Sequence, residues 1–459
     1  MGRPAVSVCV PARNHAAFIA EAVAGALRED VDLEVLVGDD ASCDGTGAAA
    51  AAAGDARVRV LRSDLPSGVA ATRDRLRAAA RGHYLAWLDA DDVYEPGGLA
   101  RQVARLDAEP RVGLVHGRAG LIDAAGRPLP DWPAPFGADA TEAGGVAFGH
   151  LVAGNEIITS TVVVRRAVER TVGSTPRLAS SSDWALWLRL ALRADVAYTA
   201  APVARYRRHA ATISHATAAG ARLRCDRDVL EDVFVRPGAP LRDTARARAA
   251  GQAALCARAV RTAADLLAAG RRRTAVTVLA LARQAAPAPV RPAALELAAR
   301  TAAGDALGAH RAGRAVLRGL LGPLEGTRAG TRLAAAVAGE EAWAAGMERA
   351  AEAVRAAVPP RGHVGVIAKW DPTVLALSGR RGRNVPDGRL LGPGYPADGP
   401  AAVAHLDALR ADGVTHLAVP RPSFWWLEHY PELADELRER HRCLHDADDC
   451  RIYALEPGR

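Results

Sequence analysis

The sequence predicts an α/β protein in three parts: an N-terminal α/β domain over residues 1–215, a helical region over 216–357 and a small C-terminal α/β domain over 358–459. Three observations support this. Residues 4–120 alternate short apolar runs with segments of helical spacing. Residues 216–357 turn Ala-, Arg- and Leu-rich with few strand signals. From residue 361 the alternation returns. A chain of 459 residues is long enough for two to four domains, and a hydrophobic content of 49% is enough to fill their cores. Aromatic residues make up only 4%, so those cores are expected to be mostly Ala, Val and Leu.

Taken in order, Ala5–Val10 reads as a strand ended by Pro11. Residues 15–28 have helical spacing, with Phe18, Ile19, Val23 and Leu27 on one face. Leu33–Gly38 is a second strand running into Asp39 and Asp40. Asp44, Gly45 and Thr46 open an Ala-rich helix, Val58–Leu61 is a third strand, and Gly68–Ala80 is a helix carrying Arg73, Arg75 and Arg77. Tyr84–Leu88 is a fourth strand. This order implies a mostly parallel sheet with helices on both faces, whose ligands bind beyond the carboxyl ends of the strands. Pro11–Asn14, Asp39–Asp40 and Asp89–Asp92 all fall at such ends.

The last of these stretches is the most informative. An apolar strand runs into Asp89, Ala90, Asp91 and Asp92, three carboxylates in four positions. Clustered carboxylates at a strand end repel one another and lose solvation, and a hard divalent cation removes both costs. The other reading is a solvated acidic turn.

Several classes are excluded or disfavoured. No G-x-G-x-x-G follows the first strand, no G-x-x-x-x-G-K-[ST] occurs, and no G-x-S-x-G elbow occurs. All but one of the 59 basic residues are arginine, Lys369 being the exception, so a lysine-centred phosphate site is nearly ruled out. The net charge of +7 comes from scattered arginines, in keeping with a coding bias, and nucleic acid is not expected as a partner. A phosphate-bearing small substrate fits that balance. The six cysteines form no C-x-x-C pair, so reduced thiols in a cytoplasmic protein are expected. The N-terminus runs straight into a strand, and neither a signal peptide nor a membrane span is expected.

Four motifs in order then carry a resemblance. Val6–Asn14 resembles the opening segment of family 2 glycosyltransferases of the GT-A fold. Val37–Thr46 is similar to their V-D-D-G-S-T-D-G-T stretch, Gly68–Asp74 to their G-x-x-x-A-R-N stretch, and Leu88–Asp92 to their L-D-A-D-D, the D-x-D motif. The departures are Gly38 in place of Val or Ile, Ala41 for Gly and Cys43 for Thr. The resemblance covers about residues 4–215.

It implies a site. Asp39 would accept a hydrogen bond from the nucleotide base, uracil in many members. Pro11, Ala12, Arg13 and Asn14 would frame the same pocket, with Asp40 beside it. Asp44 and Arg73 would line the base and diphosphate region, although Arg73 also reads as a surface residue of a basic helix. Asp89 and Ala90 would lie at the ribose and metal, and Asp91 would be the main ligand of Mg²⁺ or Mn²⁺. Asp92 would assist the metal or orient Asp91 from behind it.

Further along, Val112–Gly117 is a strand, Leu121–Pro128 a hairpin over the acceptor side, residues 130–150 a mobile Pro- and Gly-rich loop, and Ile157–Val164 a strand. Thr159 and Ser160 are candidates to face the donor sugar. Ser180–Leu190 resembles the family's [ED]-D-W-x-L-W-L-R-L, whose Asp is the catalytic base. Ser182 replaces the commoner Glu, which assigns the base to Asp183. Ser182 or a neighbour caps that helix, and Asp183 also reads as a plain first-turn residue. Trp184 and Trp187 are candidates for an acceptor floor or for core. Tyr206–Ser214 resembles a Y-R-x-H-x-x-x-x-S segment, placing His209 near the metal or diphosphate.

The helical region suggests helix pairs, as in Ala263–Ala269, Gly270 and Arg273–Ala286, but no 34-residue period emerges. In the C-terminal part Val364–Ala368 and Thr415–Pro420 are strands, Pro400–Asp412 is a helix closed by Gly413, and Phe424–Leu433 is an aromatic run. That run resembles a module appended to bacterial carbohydrate-modifying enzymes; it also reads as a small core. Partner or acceptor binding is the use expected of both regions.

The expected activity is transfer of a sugar from a nucleotide-diphosphate donor, a UDP-sugar foremost, to an acceptor hydroxyl with inversion, as in bacterial glycan synthesis. The alternatives are a non-catalytic scaffold on the same fold and, ranked lower, a nucleotidyltransferase. Retention of configuration stays open at this point.

Overall fold

The computed structural model describes residues 3–130, 134–209, 218–235, 244–268, 271–368, 371, 373–386 and 395–455. These form two compact units: residues 1–262 with 281–288 and 322–331, and residues 263–280, 289–321 and 332–459.

The first unit opens as expected. β1 (Val6–Ala12), α1 (Ile19–Leu27), β2 (Leu33–Asp39), α2 (Thr46–Ala51), β3 (Val58–Arg62), α3 (Val69–Ala79) and β4 (Tyr84–Trp87) follow in turn. They give a parallel half-sheet in the order β3-β2-β1-β4. β1 runs past Pro11 to Ala12, because its pairing with β4 has already stopped at Cys9 and Pro11 meets only Gly38 of β2. A missing N–H costs little where one flank of a strand is open. Gly38 has a packing reason: a Cβ there would come within 2.6 Å of Thr72 Cγ2 and 3.1 Å of Leu76 Cδ1 of α3.

The remaining sheet departs from the expectation. Next come β5 (Val93–Tyr94), α4 (Gly98–Ala108), β6 (Val112–Ile122), β7 (Pro128–Leu129), β8 (Ala140–Glu142) and α5 (Gly144–Leu151). After them come β9 (Val163–Arg165), α6 (Arg166–Glu169), α7 (Ser182–Ala191) and β10 (Asp195–Arg207). The order continues β4-β9-β6-β10-β5, with β9 antiparallel to both neighbours and β6 parallel to β10. The sheet is therefore mixed in this half; apolar runs alone carry no strand direction.

The expected hairpin is present, with β7 antiparallel to the end of β6. The expected mobile loop is not: β8 pairs with β10, and α5 buries Ala147, Phe148 and Leu151. Residues 131–133 of that stretch lie outside the described residues. The expected strand Ile157–Val164 shrinks to β9, because Thr159–Thr161 form a 3₁₀ turn. There Thr161 Oγ1 donates to the Ile158 carbonyl at 2.7 Å, the kind of local hydroxyl bond that competes with a strand. α4 went unassigned, although Leu99, Val103 and Leu106 recur at helical spacing and all three are buried.

A core of Val6, Val8, Val10, Ile19, Val23, Val35, Val37, Leu99 and Leu106 lies under β1, β2, α1 and α4. It is aliphatic, as the composition requires. Two further helices complete this unit, α8 (Ala219–Val235) and α9 (Thr244–Ala268), the latter running past the unit's boundary.

The second unit holds helices Arg291–Ala303 and Ala306–Gly319 and most of Arg272–Ala285 and Arg328–Ala357. It also holds a five-stranded sheet in the order β12-β11-β13-β15-β14: β11 is His363–Ile367, β12 Arg381–Val385, β13 His416–Pro420, β14 Arg442–Asp446 and β15 Cys450–Ala454. Gly413, at φ 84°, follows helix Gly399–Ala411 as expected. In the aromatic run Trp426 and Tyr430 are core residues, whereas Trp425 is 37% exposed. Gly270 lies outside the described residues. Among the described residues no helix is long and apolar enough to cross a membrane.

Replacing Gly38 by Val tests the β2–α3 contact. The change should lower the stability of this unit by about 1–3 kcal/mol through overpacking, read as an earlier denaturant midpoint. An unchanged midpoint would show that α3 yields freely.

Candidate functional site

The loops after β1 and β2 interlock. Asn14 adopts φ 57°, and its Oδ1 accepts the Cys43 N–H at 3.1 Å while its own N–H donates to Ser42 Oγ at 3.0 Å. Asp44 accepts the Ala16 N–H at 2.9 Å on one oxygen and the Thr46 N–H at 3.0 Å on the other. Burial opposes its ionisation, but the bonds from Thr46 and Ala16 hold its carboxyl below the usual range. Asp39 is fully buried; its Oδ1 accepts the Ser42 N–H at 2.9 Å and its Oδ2 the Arg62 Nη1 at 2.7 Å. Asp40 accepts the N–H groups of Ser67 at 2.8 Å and Gly68 at 2.9 Å, fixing the start of α3. Pro11 and Ala12 are buried at the end of β1, and Arg13 is exposed with its N–H 3.3 Å from His15 Nδ1. These residues thus form one platform at the carboxyl ends of β1 and β2. Most of the acidic oxygens on it are engaged by backbone N–H groups.

The acidic stretch after β4 forms the second part. Ala90 and Asp92 turn inward, with Asp92 completely buried. Ser160 Oγ accepts the Asp89 N–H at 3.0 Å and donates to Asp92 Oδ2 at 2.5 Å, and the Arg207 N–H reaches Asp92 Oδ1 at 2.7 Å. Burial, then the charges of Asp91 and Asp89, push the Asp92 carboxyl well up, against these hydrogen bonds. Asp91 meets His209 Nε2 at 2.9 Å, and His15 Nε2 lies 4.0 Å away. Burial, with Asp91 and Asp183 beyond it, raises Asp89 to about 7 against the pull of Arg73. The Asp89 side chain is still 31% exposed, so water and ions reach it and moderate that shift.

Arg73 joins this corner to α7. Its Nη2 lies 3.8 Å from Asp89 Oδ1, its Nη1 donates to Ser182 Oγ at 3.1 Å, and its guanidinium sits 5.9 Å from the Trp87 ring centre. It is buried, so its reading as a surface residue is corrected. Its Nε has no hydrogen-bond partner. Thr159 Oγ1 donates to Asp183 Oδ2 at 2.8 Å. The helix begins at Ser182, with Ser181 at the N-cap position, but no side chain caps it. Trp184 and Trp187 are each 1% exposed, and the Trp184 indole donates to the Leu151 carbonyl at 2.8 Å. Both are therefore core residues, and neither forms a floor open to an acceptor.

Two residues were given no role by the sequence. Arg207 is buried: its Nε donates to the Asp91 carbonyl at 2.7 Å, its Nη2 pairs with Glu21 at 2.6 Å, and it lies over the Phe18 ring at 5.0 Å. Its sequence signal is the R position of the Y-R-x-H segment, to which no role was attached. Arg62, at the end of β3, has none. Residues 210–214 of the Tyr206–Ser214 motif lie outside the described residues. Among the described residues no cluster of three or more His, Cys, Asp or Glu is arranged to hold a metal ion.

Comparison with known proteins bears on the fold and on the N-terminal sequence. The protein is 42% identical over 106 residues to the succinoglycan biosynthesis protein ExoO of Rhizobium meliloti, covering 23% of this chain and 30% of that protein. It is 26% identical over 119 residues to the Escherichia coli UDP-Glc:alpha-D-GlcNAc-diphosphoundecaprenol beta-1,3-glucosyltransferase WfgD, covering 26% of this chain and 47% of that protein. The chain thus spans under half the length of either relative. The crystal structure of S. aureus TarS 1-349 in complex with UDP-GlcNAc aligns at a TM-score of 0.52 with 17% identity. That alignment covers 68% of this chain and 92% of TarS 1-349, which shows a shared GT-A fold. Residues 7–135, the segment that carries the four motifs, match the model of glycosyl transferase family 2.

Proposed function

We propose that the protein is an inverting, metal-dependent glycosyltransferase that moves a sugar from a UDP-sugar to a hydroxyl of a glycan acceptor. The observation that carries this reading is the link made by Arg73. One guanidinium touches both the carboxylate corner at Asp89 and the start of the helix that bears Asp183. A leaving-group site and a proton acceptor are thereby held in one electrostatic unit. The relatives support the donor class: WfgD is by name a UDP-Glc transferase, and TarS was crystallised with UDP-GlcNAc. ExoO, by name, serves succinoglycan biosynthesis, which supports a glycan product.

The described residues are not arranged as a metal cluster, but the chemistry of this corner would suit a hard divalent cation that drew its groups together. Asp89 and Asp91 offer carboxylates and His209 an imidazole nitrogen, and the raised Asp89 carboxyl marks a corner short of positive charge. When bound, Mg²⁺ or Mn²⁺ would neutralise the charge that gathers on the departing diphosphate. The chain's own residues do the rest. Asp183 accepts the acceptor's hydroxyl proton, and the freed oxygen bonds to the anomeric carbon as that carbon's bond to the diphosphate oxygen breaks. Thr159 holds Asp183 Oδ2 and leaves Oδ1 to face the acceptor. Arg73 steadies Asp89 and the diphosphate. Asp39, Asn14 and Asp44 shape the platform for the base. The helical and C-terminal parts serve the acceptor or a partner. A cytoplasmic setting is consistent with six free cysteines.

Asp183→Asn should lower transfer by about 10²–10⁴-fold, the usual contribution of a general base, while UDP binding by calorimetry stays within twofold. Full activity in that variant would sink the assignment. Asp91→Ala should abolish the Mn²⁺-dependent part of UDP affinity; an unchanged titration would remove Asp91 from the ligand set. Below about pH 7 a cation must displace a proton from Asp89, so Mn²⁺ affinity should fall by up to about tenfold per pH unit as pH drops. A flat profile between pH 5 and pH 8 would contradict this.

A further inference from the structure

We infer that Asp226, on α8 and outside the family-matched segment, is a positioning residue for Asp183. The inference rests on the reading of Asp183 as the proton acceptor.

Ser181 stands two residues before Asp183 with φ 62° and ψ 12°, one of three non-glycine residues at positive φ among the described residues. The left-handed region is costly for a residue with a Cβ and persists only where surroundings impose it. A serine at an N-cap ordinarily turns its hydroxyl onto the helix's own N–H groups. Here it does not: no cap bond forms, and Ser181 Oγ donates to Asp226 Oδ1 at 2.8 Å. The hydroxyl that local physics would direct inward is held outward by α8.

The other side of Asp183 is tied to the same group. Asp226 Oδ2 lies 3.4 Å from Arg258 Nε, and Arg258 belongs to α9. Arg258 donates from Nη1 to the Ala153 carbonyl at 2.8 Å and lies 5.6 Å over the ring of Trp184, the residue after Asp183. Asp226 is 9% exposed, so its carboxylate is held largely out of solvent, with the Arg258 side chain 31% exposed beside it. Lower on α7, Arg189 pairs with Asp232 of α8 at 2.5 Å, which sets the helix's axis and leaves Asp226 to set its first turn. Asp183 is thus bracketed through its own backbone by Ser181 and Trp184, and its carboxylate is then aimed by Thr159. Loss of the Asp226 bond lets Ser181 leave the left-handed region. The first turn of α7 then rotates, and displacements of about 1 Å at a reacting group cost on the order of 10²-fold in rate.

The test uses the full chain with Mn²⁺ and UDP-glucose or UDP-GlcNAc, following UDP release to water, together with amide hydrogen exchange at residues 182–186. Asp226→Ala should lower kcat by about 10–10²-fold, leave the donor KM within twofold and speed exchange in the first turn of α7. Ser181→Ala removes the same bond with the Asp226–Arg258 pair intact, and should reproduce both effects even if Asp226→Ala folds poorly. Asp226→Asn keeps an acceptor for Ser181 Oγ and should retain most of kcat. The deciding variant is Asp226→Ala with Ser181→Gly. Glycine adopts φ 62° without strain, so kcat and exchange protection should recover. The inference is overturned if kcat in Asp226→Ala equals wild type, if KM and kcat worsen together, or if Ser181→Gly restores neither kcat nor protection. A wild type that releases no UDP from either donor sinks the transferase reading instead, and the exchange data then decide whether Asp226 holds this turn.

Discussion

The site depends on one constraint: Asp89, Asp91, Asp92 and Asp183 share one corner, in which Asp91 and Asp92 are buried and Asp89 is only partly open to water. Like charges in such a place raise one another's cost of ionisation, and the upward shifts of Asp89 and Asp92 express it. The surrounding side chains answer that cost separately. Arg73 supplies charge to Asp89, His209 meets Asp91, and the Ser160 hydroxyl with the Arg207 N–H satisfies Asp92. Asp92, fully buried between these donors, is a brace for the turn more than a ligand. Asp91 is left facing the imidazoles of His15 and His209.

The arginine-only basic composition takes on meaning in this light, even if a coding bias produced it. Arg207 spreads one guanidinium over the carbonyls of Asp91, Asp123 and Ala124 and the carboxylate of Glu21. Arg189 does the same with the carbonyls of Val172 and Ser174 and with Asp232. A planar fork of five donors can bind several acceptors in fixed directions, and a lysine ammonium cannot substitute for it. Buried arginines therefore serve here as cross-links between loops as well as charges.

Much of the first half-sheet was legible because its strands are short apolar runs, buried along their length in β1, β2 and β4, its helices keep helical spacing, and Pro, Gly or Asp punctuate them. Asp39, Asp91 and Asp183 stood out by motif. What stayed hidden has a common cause. Ser160 matters because its hydroxyl bridges two residues about seventy positions earlier, and Arg207 because its side chain crosses to α1; neither relation leaves a local pattern. β9 was overdrawn because Thr159–Thr161 look β-branched and small, yet their hydroxyls serve a turn and the carboxylates. Trp184 and Trp187 read as acceptor floor or as core, and because α7 is buried on nearly every side, helical spacing could not tell an open face from a covered one.

The long reach of the Arg207 contacts has a consequence for how the protein comes into being. The Arg207–Asp92 bond closes a span of 115 residues and the Arg207–Glu21 pair one of 186. Loop-closure entropy must be met before such contacts repay it, so they form late in folding. On a ribosome, the nascent chain can complete its parallel half-sheet and present Asp39 and Asp40 well before β10 has been made. The acidic corner is then still unbraced. A half-synthesised chain thus carries the β1–β2 platform without a braced acidic corner, and the two meet only when the last strand of the sheet is in place.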